Sequence, residues 1–206
     1  MSNYGTRDGI FYAKGIEIID KIPMEMVIVD AAATGTANML SAKDMNAKGT
    51  AAYVVGSLTA QPDFARNLVV SANTAGVGSA GGVDGVLISG YTANGNYQEE
   101  TVHIAATAAG TTSSNNCFIK VTSLTPKTTT ASNAVKATDV AVGFGDHIGL
   151  PYPIDDTSDI LTFAVGGVVS SATMTMATVN STYDKLTGVN VTTAENYVVR
   201  YKTKLM

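Results

Sequence analysis

The sequence has no tryptophan, one cysteine, five prolines and few charges. Each shortage excludes something. With Cys117 alone, no intrachain disulfide can form, so stability must come from packing or assembly. Lys and Arg number 13 against 17 Asp and Glu, a net charge of −4, and they form no dense cluster. A nucleic-acid surface would present a basic face, so no nucleic-acid partner is expected. Every apolar run is interrupted by Gly, Ser, Thr or a charge before reaching the roughly 20 residues of a membrane-spanning helix. No membrane partner is expected either. At 45% hydrophobic and 15% charged residues, the composition is too apolar and too weakly charged for disorder. The first residues, Met1-Ser-Asn-Tyr-Gly-Thr-Arg-Asp8, carry no apolar secretory core, which predicts folding in a cytoplasm.

What is present is glycine, 20 residues of it, with Thr, Ser and Asn separating short apolar runs. Candidate strands are Asn67–Ala72, Val83–Ala93, Asn96–Ala106, Phe118–Leu124, Asp139–Val142, Ile160–Val165, Ala172–Val179 and Glu195–Thr203. Pro126, Pro151 and Pro153 read as breaks between them. Upstream, Ile16–Ile19, Met26–Val29 and Tyr53–Val55 are strand-like, and Ser41–Ala47 is a candidate short helix capped by Ser41. Residues 107–116 and 125–138 read as polar loops. Many short strands at this spacing predict an all-β fold, an antiparallel β-sandwich or jelly-roll-like barrel with an extended N-terminal segment. The expected organisation is an N-terminal arm or small lobe over 1–60 and a β-sandwich domain over 61–206.

Two local patterns carry register. Asn94-Gly95 between two β-patterned runs predicts a two-residue type I′ hairpin. That turn would pair Leu87 with Val102 and Tyr91 with Gln98, and place Leu87, Tyr91, Val102 and Ile104 on the core face. In the last strand, Tyr197, Val199 and Tyr201 alternate with Val198, Arg200 and Lys202, which predicts a buried tyrosine face. Arg200, Lys202 and Lys204 would then share a solvated face. Ala172, Met174 and Met176 alternate in the same way with Thr173, Thr175 and Ala177.

Chemistry has little to build on. His103 and His147 are far apart and neither has metal-ligand spacing. Either could meet Cys117 as a nucleophile pair, but a small buried thiol explains the cysteine more simply. Asp155-Asp156-Thr157-Ser158-Asp159 could offer oxygens to Ca²⁺, yet it lacks a calcium-loop pattern, and a turn explains it. Glu99 and Glu100 are strand neighbours and point to opposite faces, so they cannot act as an acid–base pair. The glycine-rich run Gly76–Gly82 lacks the Lys-Ser/Thr ending of a phosphate loop. The reading assigns no catalytic, metal or cofactor residue and no cofactor.

The order of several segments is more specific than any one of them. These are Pro62, Arg66-Asn67-Leu68, Ser89–Val102 (SGYTANGNYQEETV), Phe118–Leu124 (FIKVTSL), Gly145–Tyr152 (GDHIGLPY) and the Tyr197-Val-Val-Arg-Tyr201 strand. In this order they resemble the head-associated β-rich structural proteins of tailed bacteriophages, from Gln61 to the C-terminus. The resemblance implies a non-enzymatic virion protein, a capsid decoration or head auxiliary protein located on the capsid surface. Its implied partners are the major capsid protein and its own copies, as a homotrimer. The alternatives are a tail or neck component and a carbohydrate-binding adhesive β-sandwich domain.

Overall fold

The structure, a computed structural model, describes residues 5–7, 10–13, 16–19, 21–44, 51–75, 83–104, 110–128, 136–169, 175–179, 182–187, 189, 191 and 194–204. It is all-β, and every strand pair among these residues is antiparallel. In chain order the first strands are β1 (Gly5–Arg7), β2 (Ile10–Ala13), β3 (Ile16–Ile19), β4 (Lys21–Ala31), β5 (Leu40–Asp44) and β6 (Tyr53–Val54). The central ones are β7 (Arg66–Ala75), β8 (Val83–Tyr91), β9 (Tyr97–His103), β10 (Gly110–Ser113), β11 (Lys120–Thr128) and β12 (Lys136–Ile154). The last are β13 (Ile160–Val165), β14 (Val168–Val169), β15 (Thr175–Val179), β16 (Thr182–Thr187) and β17 (Glu195–Lys204).

They form three sheets. A three-stranded meander contains β1, β2 and β3, and a four-stranded sheet has the order β14-β13-β17-β4. The largest, of ten strands, follows β10-β7-β12-β8-β11-β6, with β5 and β16 on β12, β9 on β8 and β15 on β16. Thus β4 joins the C-terminal strand, while β5 and β6 join the central sheet.

Strand β12 ties the molecule together, because its two halves serve different cores. Val140, Val142 and Phe144 pack with Leu68, Val70, Val86, Ile88 and Leu124 in the first. Ile148, Leu150 and Ile154 pack with Leu186, Phe163, Tyr197, Val199 and Tyr201 in the second. A fully buried Val, Leu, Ile or Phe contributes roughly 1.5–3 kcal/mol, so these two clusters carry the fold. The alternation in β17 is as the sequence predicts: Tyr197, Val199 and Tyr201 are buried and Arg200 is exposed.

The Asn94-Gly95 hairpin is in place, but its register differs from expectation by one residue. Tyr91 pairs with Tyr97 and Val86 with Val102. The reason is loop length. Gly95 N–H donates to the Thr92 carbonyl and Thr92 N–H to the Asn96 carbonyl, which makes a three-residue loop ending in Gly95 at φ +84°. Asn94 has no positive φ, so the turn is not type I′. A one-residue slip exchanges the faces. Val86, Ile88 and Val102 are therefore in the core, Leu87 is half-buried, and Tyr91 is exposed beside Tyr97. Gly95→Val is expected to destabilise the protein by about 1–3 kcal/mol, because a β-branched residue resists this φ. Urea unfolding checks it, with Gly95→Asn as the milder control.

Other expectations need correction. Residues 41–44 are not helical: they belong to β5, where Leu40 pairs with Val142 and Lys43 with Val140. The strand expected at Tyr53–Val55 stops after Val54 in a short 3₁₀ turn, Val55–Ser57. The segments read as polar loops contain β10, the end of β11 and the start of β12. Pro151 and Pro153 lie within β12, in a stretch that skips pairing between Gly149↔Lys185 and Ile154↔Tyr183, so no ladder N–H is lost there. Gly76–Gly82 and the 172–174 part of the methionine alternation fall outside the described residues.

Candidate functional site

The arginine that follows the Gln-Pro-Asp-Phe turn is fully buried. Its backbone pairs in both directions with Phe118. Its guanidinium Nε and Nη2 donate to the Gly145 carbonyl at 2.9 and 2.6 Å, and Nη1 donates to the Ala32 carbonyl at 2.9 Å and to Asp63 Oδ1 at 3.0 Å. The plane lies between two rings, 4.6 Å from Phe64 and 5.2 Å from Phe144. Phe144 belongs to the first core and Phe64 to the second, so Arg66 locks the junction between them. Burial pushes its pKa down and Asp63 pulls it back up. Asp63 also accepts from Ala32 N–H, at 2.6 Å. Next door, Asn67 Oδ1 accepts from His147 N–H at 2.9 Å. The Arg66-Asn67 and Gly145–His147 segments are therefore one structural unit. They hold the chain rather than forming an open site.

The candidate reactive groups are dispersed. Cys117 lines a cavity of about 110 Å³ together with Gln98, Leu150 and Asp184. Burial pushes its thiol from 9.0 up to about 12, partly offset by Lys185. No histidine is among the groups acting most strongly on it. His103 is exposed on β9. Half-buried His147 is pushed down by burial, with Asp146 opposing. A thiol held this high is protonated at neutral pH and is a poor nucleophile. Native protein at pH 8 is therefore expected to react with Ellman's reagent at least tenfold more slowly than urea-unfolded protein, an order-of-magnitude figure. Since the folded pKa is raised, the stability linked to this thiol is complete below about 9 and is lost as pH rises toward 12. Equal labelling rates would contradict this burial.

The acidic run is a structural turn. Asp156 caps the 3₁₀ turn Thr157–Asp159, accepting from Ser158 N–H at 2.8 Å. Asp159 is buried and holds Lys21 Nζ at 2.7 and 2.6 Å. These contacts engage the carboxylates, and no group of three potential metal ligands occurs among the described residues. Glu99 and Glu100 point apart, as expected: Glu99 meets Tyr97 and Ser89, while Glu100 accepts from Asn115 and Asn116 N–H. A shallow cleft of about 360 Å³ is lined by Thr34, Thr36, Thr111, Ser113 and Asp146 over Val69 and Phe144.

A different feature was not anticipated. On the outer face of the four-stranded sheet, Val169 pairs with Ala164, Ala164 with Val198 and Val198 with Val27, which makes one apolar row across all four strands. Val27 is 54% exposed, Val169 67% and the neighbouring Val29 64%. The next row is polar, with Thr162, Arg200 and Glu25, and Arg200 Nε donates to Glu25. An apolar row continued across a sheet and bordered by charge has the character of an interaction surface. Its signal was the unbroken run Met26-Val27-Ile28-Val29, since a strand apolar on both faces needs cover on both. In comparisons with known proteins, no family model, no curated protein and no solved structure matches this chain.

Proposed function

We propose that this chain is a non-enzymatic virion structural protein. It decorates and stabilises the capsid of a tailed bacteriophage as a homotrimer bound to the major capsid protein. The reading rests on the order of segments from Pro62 to Tyr201. The observation that best supports it is the valine row on the four-stranded sheet, which gives the protein an apolar surface suited to protein–protein contact. β4 adds an edge strand of 11 residues whose one partner among the described strands is β17. Long edges of this kind are aggregation hazards unless another chain covers them. A capsid presents many symmetric copies of one docking surface, so modest contacts gain strength by repetition. The test is mass spectrometry of purified virions, where the chain is expected at a copy number comparable with that of the shell protein. Its absence from virions would reject the reading.

The cleft with four hydroxyl side chains and Asp146 favours one other reading, a saccharide-binding adhesive domain. A glycan array separates the two, because the decoration reading predicts no saccharide binding.

A further inference from the structure

The N-terminal meander pairs only within itself among the described strands. Its register places Phe11 opposite Ile18 and Ala13 opposite Ile16, so these four residues share one face. A three-stranded sheet this short needs such an apolar face covered to be stable. The valine row needs cover of the same kind. Within one chain the two cannot stack at their junction. One residue separates Ile19, the end of β3, from Lys21, the start of β4. Two Cα steps of 3.8 Å reach at most about 7.6 Å. Stacked sheets sit about 10 Å apart. Consistent with that limit, Val27, Val29 and Val169 stay more than half exposed with the meander present.

We propose that the meander of one copy covers the valine row of the next copy. Each chain gives one apolar sheet face and receives another. The contact is head-to-tail, so its rotation per step sets whether copies close into a ring. It concerns contacts between copies of this chain and holds whether or not the capsid reading does.

Two experiments on the full-length protein test it, both without shells. In a Cys117→Ser background, Ile18→Cys protein is mixed with Val27→Cys protein under mild oxidation. A mixed disulfide between the two chains is expected at several-fold the yield obtained when Lys43→Cys replaces Val27→Cys. No excess over that control would overturn the proposal. Sedimentation equilibrium provides the second readout. The native chain is expected to associate, and Val27→Lys combined with Val169→Lys to shift it to monomer with an unchanged melting midpoint, since both sites are exposed. Association that survives the double substitution would overturn the proposal. So would a native chain that is monomeric throughout but loses shell binding on the double substitution, because the row would then belong to the shell contact.

Discussion

Replacing Arg66 with Met is expected to cost about 3–5 kcal/mol, the range for removing one partner of a buried, hydrogen-bonded charge. The substitution keeps much of the aliphatic volume, so the loss isolates the guanidinium. Without it, the Gly145 and Ala32 carbonyls lose buried donors, Asp63 loses its cation and the two phenylalanine rings lose the plane between them. Small domains are typically stable by only about 5–15 kcal/mol, so the variant would sit near the threshold of folding. Arg66→Lys is expected to recover less than half of the loss, because one ammonium cannot serve two carbonyls and a carboxylate in a planar fork. Urea unfolding of the three proteins measures this. A cost below about 1 kcal/mol for Arg66→Met, within the range of a single ordinary hydrogen bond, would show that the two cores are not joined through this residue.

Gly143→Ala is expected to be comparably severe. A Cβ there would lie 1.9 Å from the Gly35 carbonyl oxygen and 2.7 Å from Ala37 N, both backbone atoms. No side chain can rotate away to relieve the overlap, so the cost should reach about 3 kcal/mol or more, the upper end for overpacking. The segment in the way is also bonded to β12, through Gly35 N–H to the Phe144 carbonyl and Met39 N–H to the Val142 carbonyl. Gly56→Ala provides the control, since nothing lies within 4 Å of that position. Both are scored by melting temperature and soluble yield. A Gly143→Ala protein as stable as Gly56→Ala would contradict the close crossing at β12.

Some of this was legible in the sequence and some was not, for identifiable reasons. Strand period alone places Tyr197, Val199 and Tyr201 inside, because β17 lies over one core for its whole length. Asn94-Gly95 marks the hairpin, but a dipeptide cannot tell a two-residue loop from a three-residue one. That difference decides which of Leu87 or Ile88 is buried. Ser41 and Asp44 have helix-cap spacing, yet pairing of Leu40 and Lys43 with β12 outweighs a weak local preference. The 19 residues of β12 looked like fragments because glycines and prolines fall where it changes partners, from β7 and β5 to β16. Arg66 stood out in sequence as an arginine at a strand start. Its burial depends on carbonyls 34 and 79 residues away, which no local pattern encodes.

The capsid assignment meets its most direct test in adding purified protein to capsids that lack it and counting bound copies by electron cryomicroscopy. Saturable binding at one class of symmetric positions on the outer surface, as trimers, is the expected result. Capsids that stay bare at saturating protein would contradict it.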